Sequence, residues 1–349
     1  MRPLFEFNPP SRALVTGGAG FLGSALCARL LSAGSEVHAL DDLSAGQAWR
    51  LPEAERLTLH RMNVRGAEDV ARVLFDAGPF DVVYHLAAKV GVRAVLEDPE
   101  AARHVNEAAT EGLLAALRLL PQSERPRLFA ASSSEVYSEG SGALHEEGAL
   151  RSVRGEGRWA YAASKVRCER ILDQARELWP RGQGPVHLRF FNVVGPGQDA
   201  SAGFVLPRFI EAARSGVALK VYGDGSSVRT YAHVDEVAST LARLASHPAV
   251  PEGALNVGGV ARASVLELAL AIQAAAPLQV EISSVDPLEE LGDGFEEVQV
   301  RTPALDRLAA LGCGVPSMGL DEIVADTLNR HVAPTVLGEG GAACASRAS

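Results

Sequence analysis

The stretch Ala13-Leu-Val-Thr-Gly17-Gly-Ala-Gly20-Phe-Leu-Gly23 joins a short β-branched strand pattern to a Gly-x-x-Gly-x-x-Gly turn. A helix pattern from Phe21 to Ser32 begins within that turn. Such a turn places backbone N–H groups at a helix N-terminus, where the helix dipole favours a negatively charged pyrophosphate. We therefore predict that this turn binds a dinucleotide, through Gly17, Gly20, Phe21, Leu22 and Gly23.

A second strand pattern, Glu36–Leu40, ends in the acidic pair Asp41-Asp42. An acidic side chain after the second strand accepts hydrogen bonds from the ribose 2′-hydroxyl and repels a 2′-phosphate. The sequence therefore predicts NAD(H) as the cofactor and disfavours NADP(H). The alternative is a glycine-rich turn of some other α/β protein.

The first two thirds of the chain alternates strand and helix patterns, which predicts a parallel sheet covered on both faces. The predicted strands are Arg12–Thr16, Glu36–Leu40, Leu57–Met62, Asp81–Leu86, Arg127–Ala131 and Val186–Phe191. The predicted helices between them are Phe21–Ser32, Ala67–Asp76, Pro99–Leu119 and Trp159–Glu177. This order is typical of the doubly wound dinucleotide-binding α/β fold.

The pattern changes after Asn192 to a smaller mixed α/β region. Its predicted elements are Phe204–Ser215, Leu219–Tyr222, Val234–Ser246, Val265–Ala275 and Leu320–Arg330. We predict a cofactor domain over residues 1–191 and a substrate domain over residues 192–333, part of which can return to the first domain. Residues 334–349 are rich in Gly, Ala and Ser and are predicted to form a disordered tail.

Composition excludes several classes of function. The 349 residues carry a formal net charge of −10 and no basic stripe, so we expect no nucleic-acid partner. No apolar run reaches transmembrane length, and the N-terminus lacks a signal-peptide pattern, so we expect a cytoplasmic protein without a membrane partner. The cysteines have neither redox nor metal-ligand spacing and are predicted to be free thiols: Cys27, Cys168, Cys313 and Cys344.

The segment Tyr161-Ala-Ala-Ser-Lys165 opens the helix after the fifth strand. Its i, i+4 spacing places the phenol and the ammonium on one helix face. A phenol with a pKa near 10 is a poor base at neutral pH, and a neighbouring cation lowers that pKa. We therefore predict that Lys165, together with the nicotinamide cation, activates Tyr161 as a general base.

The run Ser132-Ser133-Ser134-Glu135 follows directly on the strand Arg127–Ala131. It is therefore predicted to lie at the carboxyl end of the sheet, where ligands of α/β proteins bind. A hydroxyl at that edge can hydrogen-bond a substrate hydroxyl. Serines after a strand are also common turn residues, but three in succession favour a substrate contact.

With these motifs the chain resembles extended short-chain dehydrogenases/reductases that act on nucleotide sugars, the NAD-dependent epimerase/dehydratase group with a Rossmann fold. The resemblance extends from about Arg12 to about Arg330. It rests on the glycine turn, the acidic pair and the Ser/Glu run, and further on His85-Leu-Ala-Ala88, Tyr161/Lys165, Arg189–Pro196, Val221–Gly225 and Arg229–Asp235.

The resemblance implies roles for individual residues. Ser133, Tyr161 and Lys165 would be the catalytic triad, and Asn192 and Arg229 would contact the substrate diphosphate. Asn63, where the family carries an acidic residue, and Val64 would meet the adenine. Further cofactor contacts are expected from Leu86, Ala87, Ala88 and Lys89. The family also implies a nucleoside-diphosphate sugar as substrate and a homodimer formed by the helices Pro99–Leu119 and Trp159–Glu177, whose apolar positions include Leu113, Leu114, Leu117, Ile171 and Leu172.

Members of this group share hydride transfer from sugar C4 to NAD⁺ and differ afterwards. Dehydratases carry an Asp-Glu pair where this chain has Ser134-Glu135, so dehydration is disfavoured. Decarboxylases of uridine diphosphate glucuronate resemble the chain in the Ser-Glu run, in Arg158-Trp159 and in Arg301-Thr-Pro303, which follows Gly294–Val298. The chain departs from them at Ser133, where they hold Thr. The loop Ala88–Arg93 looks more like that of 4-epimerases, and Arg93 is a candidate contact for the sugar.

We therefore predict an NAD-dependent 4-epimerase of a nucleoside-diphosphate sugar, with a uridine diphosphate glucuronate decarboxylase as the alternative. A catalytically inactive NAD-binding regulator is a second alternative, which intact Ser133, Tyr161 and Lys165 disfavour. For the decarboxylase, Glu135 is a catalytic candidate that would face the sugar, with Arg301 on the same side. The predicted substrate contacts are Arg93, Ser133, Ser134, Asn192, Arg229 and Arg301, and no metal is expected.

Overall fold

The computed structural model describes residues 8–91, 95, 97–138, 142–152, 157–286 and 300–330, apart from the side chain of Arg158. Statements about the structure refer to these residues. The predicted contact Arg93, the segment Gly294–Val298 and the predicted tail 334–349 lie outside them. Within the described ranges, no helix is long and apolar enough to span a membrane.

The strands follow the predicted order along the chain. In chain order they are β1 (Arg12–Thr16), β2 (Glu36–Asp41), β3 (Leu57–Arg61), β4 (Val82–His85), β5 (Arg127–Ser133), β6 (Ala143–Leu144), β7 (Val186–Phe190), β8 (Val193–Val194), β9 (Leu219–Tyr222), β10 (Val228–His233), β11 (Gly253–Val257), β12 (Ala261–Ser264), β13 (Ile282–Val285) and β14 (Val300–Pro303).

The α-helices lie between these strands. They are α1 (Phe21–Ser32), α2 (Ala67–Asp76), α3 (Pro99–Arg118), α4 (Ala160–Gln174), α5 (Val205–Arg214), α6 (Val234–Ser246), α7 (Val265–Ala275), α8 (Asp306–Leu311) and α9 (Leu320–Arg330). Short 3₁₀ turns connect several elements, and one of them, Ser134–Val136, follows β5 directly.

Seven parallel strands form the main sheet, in the order β11-β7-β5-β4-β1-β2-β3. The order runs outward from β1 in both directions, and the carboxyl ends of all strands meet at one edge. The prediction of a doubly wound parallel α/β sheet is therefore confirmed. The seventh strand, β11, was not predicted from the sequence, because five residues with an Asn inside them give a weak strand pattern.

Two apolar cores cover the two faces of this sheet. One core contains residues of α1 and α6, such as Leu26 and Leu241, which are fully buried. The other contains residues of α2, α3 and α4, such as Leu113 and Leu172. The segment from α6 to β11 thus returns to the main sheet after the mixed region has begun.

The smaller region contains a mixed sheet in the order β12-β10-β14-β6, with β8 also paired to β10, and the separate pair β9–β13. The strand β10 is parallel to β14, and Arg229 is the register partner of Arg301. Residues that are paired across neighbouring strands project to the same face. The smaller sheet therefore presents two arginines side by side.

Asn256 on β11 connects the main sheet to the smaller one. Its side-chain N–H groups donate to the carbonyls of Leu144 at 2.8 Å and Ala304 at 3.1 Å, and its Oδ1 accepts from the Tyr137 hydroxyl at 2.6 Å. The side chain is fully buried. Because Ala304 directly follows β14, Asn256 fixes the strand that carries Arg301 against the main sheet.

The substitution Asn256→Ala is expected to lower the free energy of unfolding by about 2–3 kcal/mol, since it removes three hydrogen bonds and takes from the buried Ala304 carbonyl its hydrogen-bond donor. Chemical denaturation at neutral pH measures the effect. The matched control is Asn329→Ala on the exposed side of α9, which should change stability by less than about 0.5 kcal/mol. Equal effects of the two substitutions would contradict the role given to Asn256.

Candidate active site

The glycine turn lies between β1 and α1 and packs against the chain that follows β4. Gly17 has φ +69°, and a Cβ there would lie 2.7 Å from the backbone nitrogen of Ala87. At Gly23 a Cβ would lie 2.0 Å from the carbonyl oxygen of Gly17. No side chain of the described residues caps the N-terminus of α1. Its first-turn N–H groups are thus available to an anion, so the turn fits a pyrophosphate.

Asp41 ends β2 and contacts the backbone of the glycine turn. Its Oδ2 accepts from the N–H of Ala19 at 3.0 Å, and its Oδ1 accepts from the N–H of Leu43 at 2.9 Å. The residue is buried. Asp41 therefore fixes the turn, a role that the sequence analysis missed, while its predicted contact with a ribose stays a prediction.

Asp42 and Asn63 lie side by side at the same edge of the sheet. The Asn63 amide donates to Asp42 Oδ2 at 2.7 Å, and Asp42 Oδ1 accepts from both the N–H and the hydroxyl of Ser44. Partial burial raises the pKa of Asp42, but these hydrogen bonds outweigh it, and the pKa lies below its ordinary value. The neighbouring Val64 side chain is buried in the core. The predicted ribose and adenine contacts are thus adjacent.

The predicted cofactor segment Leu86–Lys89 follows β4 next to the glycine turn. The Thr16 hydroxyl lies 2.8 Å from Nδ1 of His85 and accepts from the N–H of Ala87 at 3.3 Å. These contacts fix the backbone after β4 against the end of β1. The segment therefore lies at the edge where the cofactor was predicted.

Asn106 on α3 is a site residue that sequence reasoning missed. Its Oδ1 accepts from the N–H of Lys89 at 2.7 Å, and its Nδ2 donates to the hydroxyl of Ser164 at 3.1 Å. Asn106 is 2% exposed. It ties the cofactor segment to α4, the helix that carries Tyr161. A lone Asn inside a helix pattern gave no signal for this contact.

Ser133, Tyr161 and Lys165 converge at the carboxyl end of β5. The Ser133 hydroxyl accepts from the N–H of Glu135 at 3.1 Å and is hydrogen-bonded to the Tyr161 hydroxyl. Lys165 Nζ donates to the carbonyl of Ala131 at 2.9 Å and lies 5.9 Å from the centre of the Tyr161 ring. The adjacent Ser134 is buried and begins the 3₁₀ turn.

In the chain without its cofactor, the pKa of Tyr161 is raised and not lowered, although Lys165 is near. Burial raises the pKa of Tyr161, and the negative charge of Glu135 raises it further, while the Ser133 hydrogen bond lowers it only in part. Burial also lowers the pKa of Lys165, which weakens the ammonium as a source of positive charge. The activation of Tyr161 therefore depends on the positive charge of the bound nicotinamide, and it stays a prediction.

Glu135 and Arg301 form an ion pair at this site. Nη1 of Arg301 donates to Oε1 of Glu135 at 3.1 Å, and the Arg301 side chain is 9% exposed. Arg301 comes from β14 and Glu135 from the turn after β5, so the contact joins the two sheets. The structure thus brings together the two residues that the sequence analysis expected on one side of the pocket.

Asn192 has φ +26°, in the left-handed region that non-glycine residues rarely adopt. Its side-chain amide donates to the carbonyl of Thr230 at 2.9 Å, and its own carbonyl accepts from the N–H of Ala232. Asn192 is therefore fixed beside Arg229, the other predicted contact of the diphosphate. Such strain is characteristic of ligand-binding positions.

A buried ion pair lies beneath the serine run. Arg189 on β7 donates to both carboxylate oxygens of Glu169 on α4, at 2.9 and 2.7 Å, and the Ser132 hydroxyl donates to the same carboxylate at 2.5 Å. Burial alone would lower the pKa of Arg189, but Glu169 outweighs it, and the pKa is raised. The pair fixes α4 against β5 and β7 at the level of the site.

The family model described as the NAD dependent epimerase/dehydratase family matches residues 13–258. A UDP-N-acetyl-alpha-D-glucosaminuronate decarboxylase of Bacillus cytotoxicus is 31% identical over 91% of this chain and 96% of its own length. A UDP-glucose 4-epimerase of Mycolicibacterium smegmatis is 36% identical over 76% of this chain and 82% of its own length. The crystal structure of the Thermus thermophilus UDP-glucose 4-epimerase in complex with NAD matches with a TM-score of 0.77 and 30% identity. The match covers 91% of this chain and 98% of that one.

His85, buried behind the site, makes the protein sensitive to acid. Burial, with the charge of Lys165 as a smaller cause, lowers its pKa from 6.5 to about 3. Below pH 6.5 the unfolded chain binds a proton that the folded protein excludes, so stability is lost between about pH 6.5 and pH 3. At pH 5 the loss is about 2 kcal/mol. In His85→Gln the free energy of unfolding should therefore fall less between pH 7 and pH 5.

Urea denaturation at the two pH values measures this difference. His104→Gln, at an exposed position of α3, is the control and should keep the pH dependence of the parent protein. The same fall in stability for the parent and for His85→Gln would contradict the interpretation.

Proposed function

Because the chain belongs to the NAD-dependent epimerase/dehydratase family, we propose that it decarboxylates a nucleoside-diphosphate-linked uronic acid after transient oxidation at sugar C4. Membership of the family confirms the predicted resemblance and the predicted cofactor, NAD. The chain is an enzyme of the epimerase, dehydratase or decarboxylase type. The observation that carries the finer proposal is the ion pair of Glu135 with Arg301 beside Ser133 and Tyr161.

The residues of the chain divide the first step among them. When bound, NAD supplies the hydride acceptor for sugar C4 and a positive charge beside Tyr161. The Tyr161 oxygen takes the proton of the C4 hydroxyl, and the Ser133 hydroxyl, already bonded to Tyr161, orients that substrate hydroxyl. The raised pKa of Tyr161 keeps the phenol protonated until that additional charge is present.

Arg301 is suited to bind the sugar carboxylate. Among the described residues, its guanidinium has one hydrogen bond, to Glu135, so its other N–H groups remain for an anion. A C4 ketone makes the substrate a β-keto acid, which loses CO₂ and leaves an electron pair delocalised from C5 into the ketone. Glu135 orients the guanidinium that holds the departing carboxylate.

The pairing of Arg229 with Arg301 supports an acidic sugar. The two arginines are register partners on neighbouring strands, and Glu135 balances part of the charge of Arg301. A substrate with a diphosphate for Arg229 and a carboxylate for Arg301 brings negative charge to both. Uronic acids linked to a nucleoside diphosphate have both groups.

The second candidate is the 4-epimerase that the sequence analysis placed first. The 36% identical relative from Mycolicibacterium smegmatis favours it. In a 4-epimerase the keto sugar only turns within the site, and neither Glu135 nor Arg301 has a required chemical role. Because Glu135 and Arg301 form an ion pair at the site, our proposal places the decarboxylase before the 4-epimerase.

The expected activity is release of CO₂ from uridine diphosphate glucuronate or its 2-acetamido analogue, with formation of the nucleotide-linked pentose. Arg301→Ala and Glu135→Gln should each lower kcat by about 10²–10⁴-fold, since the carboxylate is no longer held in place. Trapped radiolabelled CO₂ and NMR of the products measure the reaction. The control is Arg262→Ala, which removes an exposed arginine on neighbouring β12 and should retain activity.

Two results would refute the decarboxylase. One is no CO₂ from either substrate together with interconversion of 4-epimers by the unmodified protein. The other is CO₂ release that persists in both Arg301→Ala and Glu135→Gln.

The homodimer now rests on the family resemblance alone. The leucines that indicated an apolar dimer face, at positions 113, 114, 117 and 172, are buried within one subunit. The dimer stays a prediction, as do the division into domains and the cofactor and substrate contacts named from the sequence.

A further inference from the structure

A row of side chains crosses the main sheet behind the catalytic residues. Thr16, His85, Ala130 and His187 are register partners on β1, β4, β5 and β7. Paired residues of a sheet project to one face, here the face that α3 and α4 cover. Because Ala130 has only a methyl group, it leaves a gap between the two histidines.

This gap is a cavity of about 10 Å³, the size at which a single water molecule fits. The polar residues that line it are His85, Thr110, Ser132, Lys165, Glu169 and His187. Each of them is at most 5% exposed. A water molecule needs two to four polar partners, and these walls offer them.

His187 has one nitrogen bonded and one without a partner. Its Nε2 lies 2.8 Å from Oδ1 of Asp173. Its Nδ1 is buried and has no hydrogen-bond partner among the described residues. His187 lines the cavity, so a water molecule there supplies the missing partner.

Asp173 connects this buried histidine to solvent. Its side chain is 59% exposed, whereas that of His187 is 3% exposed. Burial raises the pKa of Asp173, but the hydrogen bond from His187 outweighs it, and the pKa is lowered. Asp173 is therefore an ionised proton acceptor at the surface end of a short polar path.

We propose that the cavity holds one water molecule that links Lys165 to His187, and that Asp173, His187 and this water form a path for protons from solvent to the catalytic residues. The other charged or titratable groups around His187 are Glu169 and Cys168 of α4, His85 of β4, and Arg189 on its own strand. Glu169 and Arg189 are bonded to each other, and burial lowers the pKa of His85, which keeps its ring neutral.

The proposal rests on the proposed function, because a decarboxylase needs a proton that a 4-epimerase does not. Loss of CO₂ leaves an electron pair at C5, which takes one proton, so each turnover of an ionised uronate consumes one proton from solvent. Epimerisation at C4 removes a proton and returns it. A supply path to a buried site is therefore required only by the first reaction.

Tyr161 takes the proton of the C4 hydroxyl and gives it to C5 after CO₂ leaves. The hydride returns to C4, and the oxygen there takes a second proton from Tyr161, which Lys165 has reprotonated. The cavity water reprotonates Lys165. A half-turn of the His187 ring brings its N–H to that water, and the ring gives this proton to the water while its other nitrogen takes a proton that Asp173 has accepted from solvent, which restores the N–H facing Asp173.

The test is His187→Gln, which retains an amide near the Nε2 position but cannot pass a proton through a ring. CO₂ release in a single turnover should be unchanged, while steady-state formation of the pentose should fall about tenfold. KM should stay constant and the solvent deuterium isotope effect on kcat should rise. In Asp173→Asn the steady-state rate of pentose formation should fall less than in His187→Gln, because water reaches that position. The control is His247→Gln, a histidine outside the cavity.

A high-resolution crystal structure of the unmodified protein tests the water site independently of activity. The expected result is a water molecule within hydrogen-bond distance of His187 Nδ1 and Lys165 Nζ. A dry cavity would overturn the proposal, as would a decarboxylating enzyme in which His187→Gln keeps its kcat and isotope effect. Failure of the unmodified protein to release CO₂ would refute the proposed function instead, and with it the need for the path.

Discussion

The buried ion pair between Arg189 and Glu169 is the contact on which the site depends. Both side chains are at most 6% exposed, and the carboxylate is bonded to the guanidinium and to Ser132 at once. Removing either partner would leave an unpaired buried charge, which costs about 3–5 kcal/mol. The pair fixes the position of α4 along β5 and β7. This position brings the Tyr161 hydroxyl to the Ser133 hydroxyl.

Strand and helix periodicity place a second contact beside the first. Residues two apart on a strand share a face, and residues four apart on a helix share a face. Arg189 and His187 on β7 therefore face Glu169 and Asp173 on α4. The first contact is bidentate and closed to water, whereas the second reaches solvent through Asp173. The same geometry thus provides one contact that fixes α4 and one at which a proton can enter.

The parts of the site that the sequence predicted are those set by local spacing. The strand, turn and helix around Gly17 to Gly23 lie within a short segment, and the i, i+4 spacing brings Tyr161 and Lys165 to one face. Both follow from backbone geometry alone. The parallel order of the sheet was predictable for the same reason, because alternating strands and helices permit few topologies.

The parts that the sequence did not predict depend on contacts between distant segments. Asn256, Asn106 and Asp41 each bond to backbone groups that their own local patterns do not reveal. Spacing shows that Lys165 is near Tyr161, but it does not show that burial and the charge of Glu135 raise the pKa of Tyr161. Desolvation depends on the whole packed structure, so no pattern of residues along the chain carries it.

The charges at the substrate end explain why one fold can support either reaction. An epimerase and a decarboxylase share the step at C4, so the groups around Tyr161 cannot distinguish them. The distinction lies in whether the site is built for an anion at C5. Arg229 and Arg301 are held in register on neighbouring strands, with Glu135 bonded to the second of them. In the proposed function a uronate places a carboxylate beside Arg301, whereas a neutral hexose brings no charge to that position. The proposed preference for an acidic sugar therefore rests on Arg301 beside Glu135, and not on the groups around Tyr161 that both reactions share.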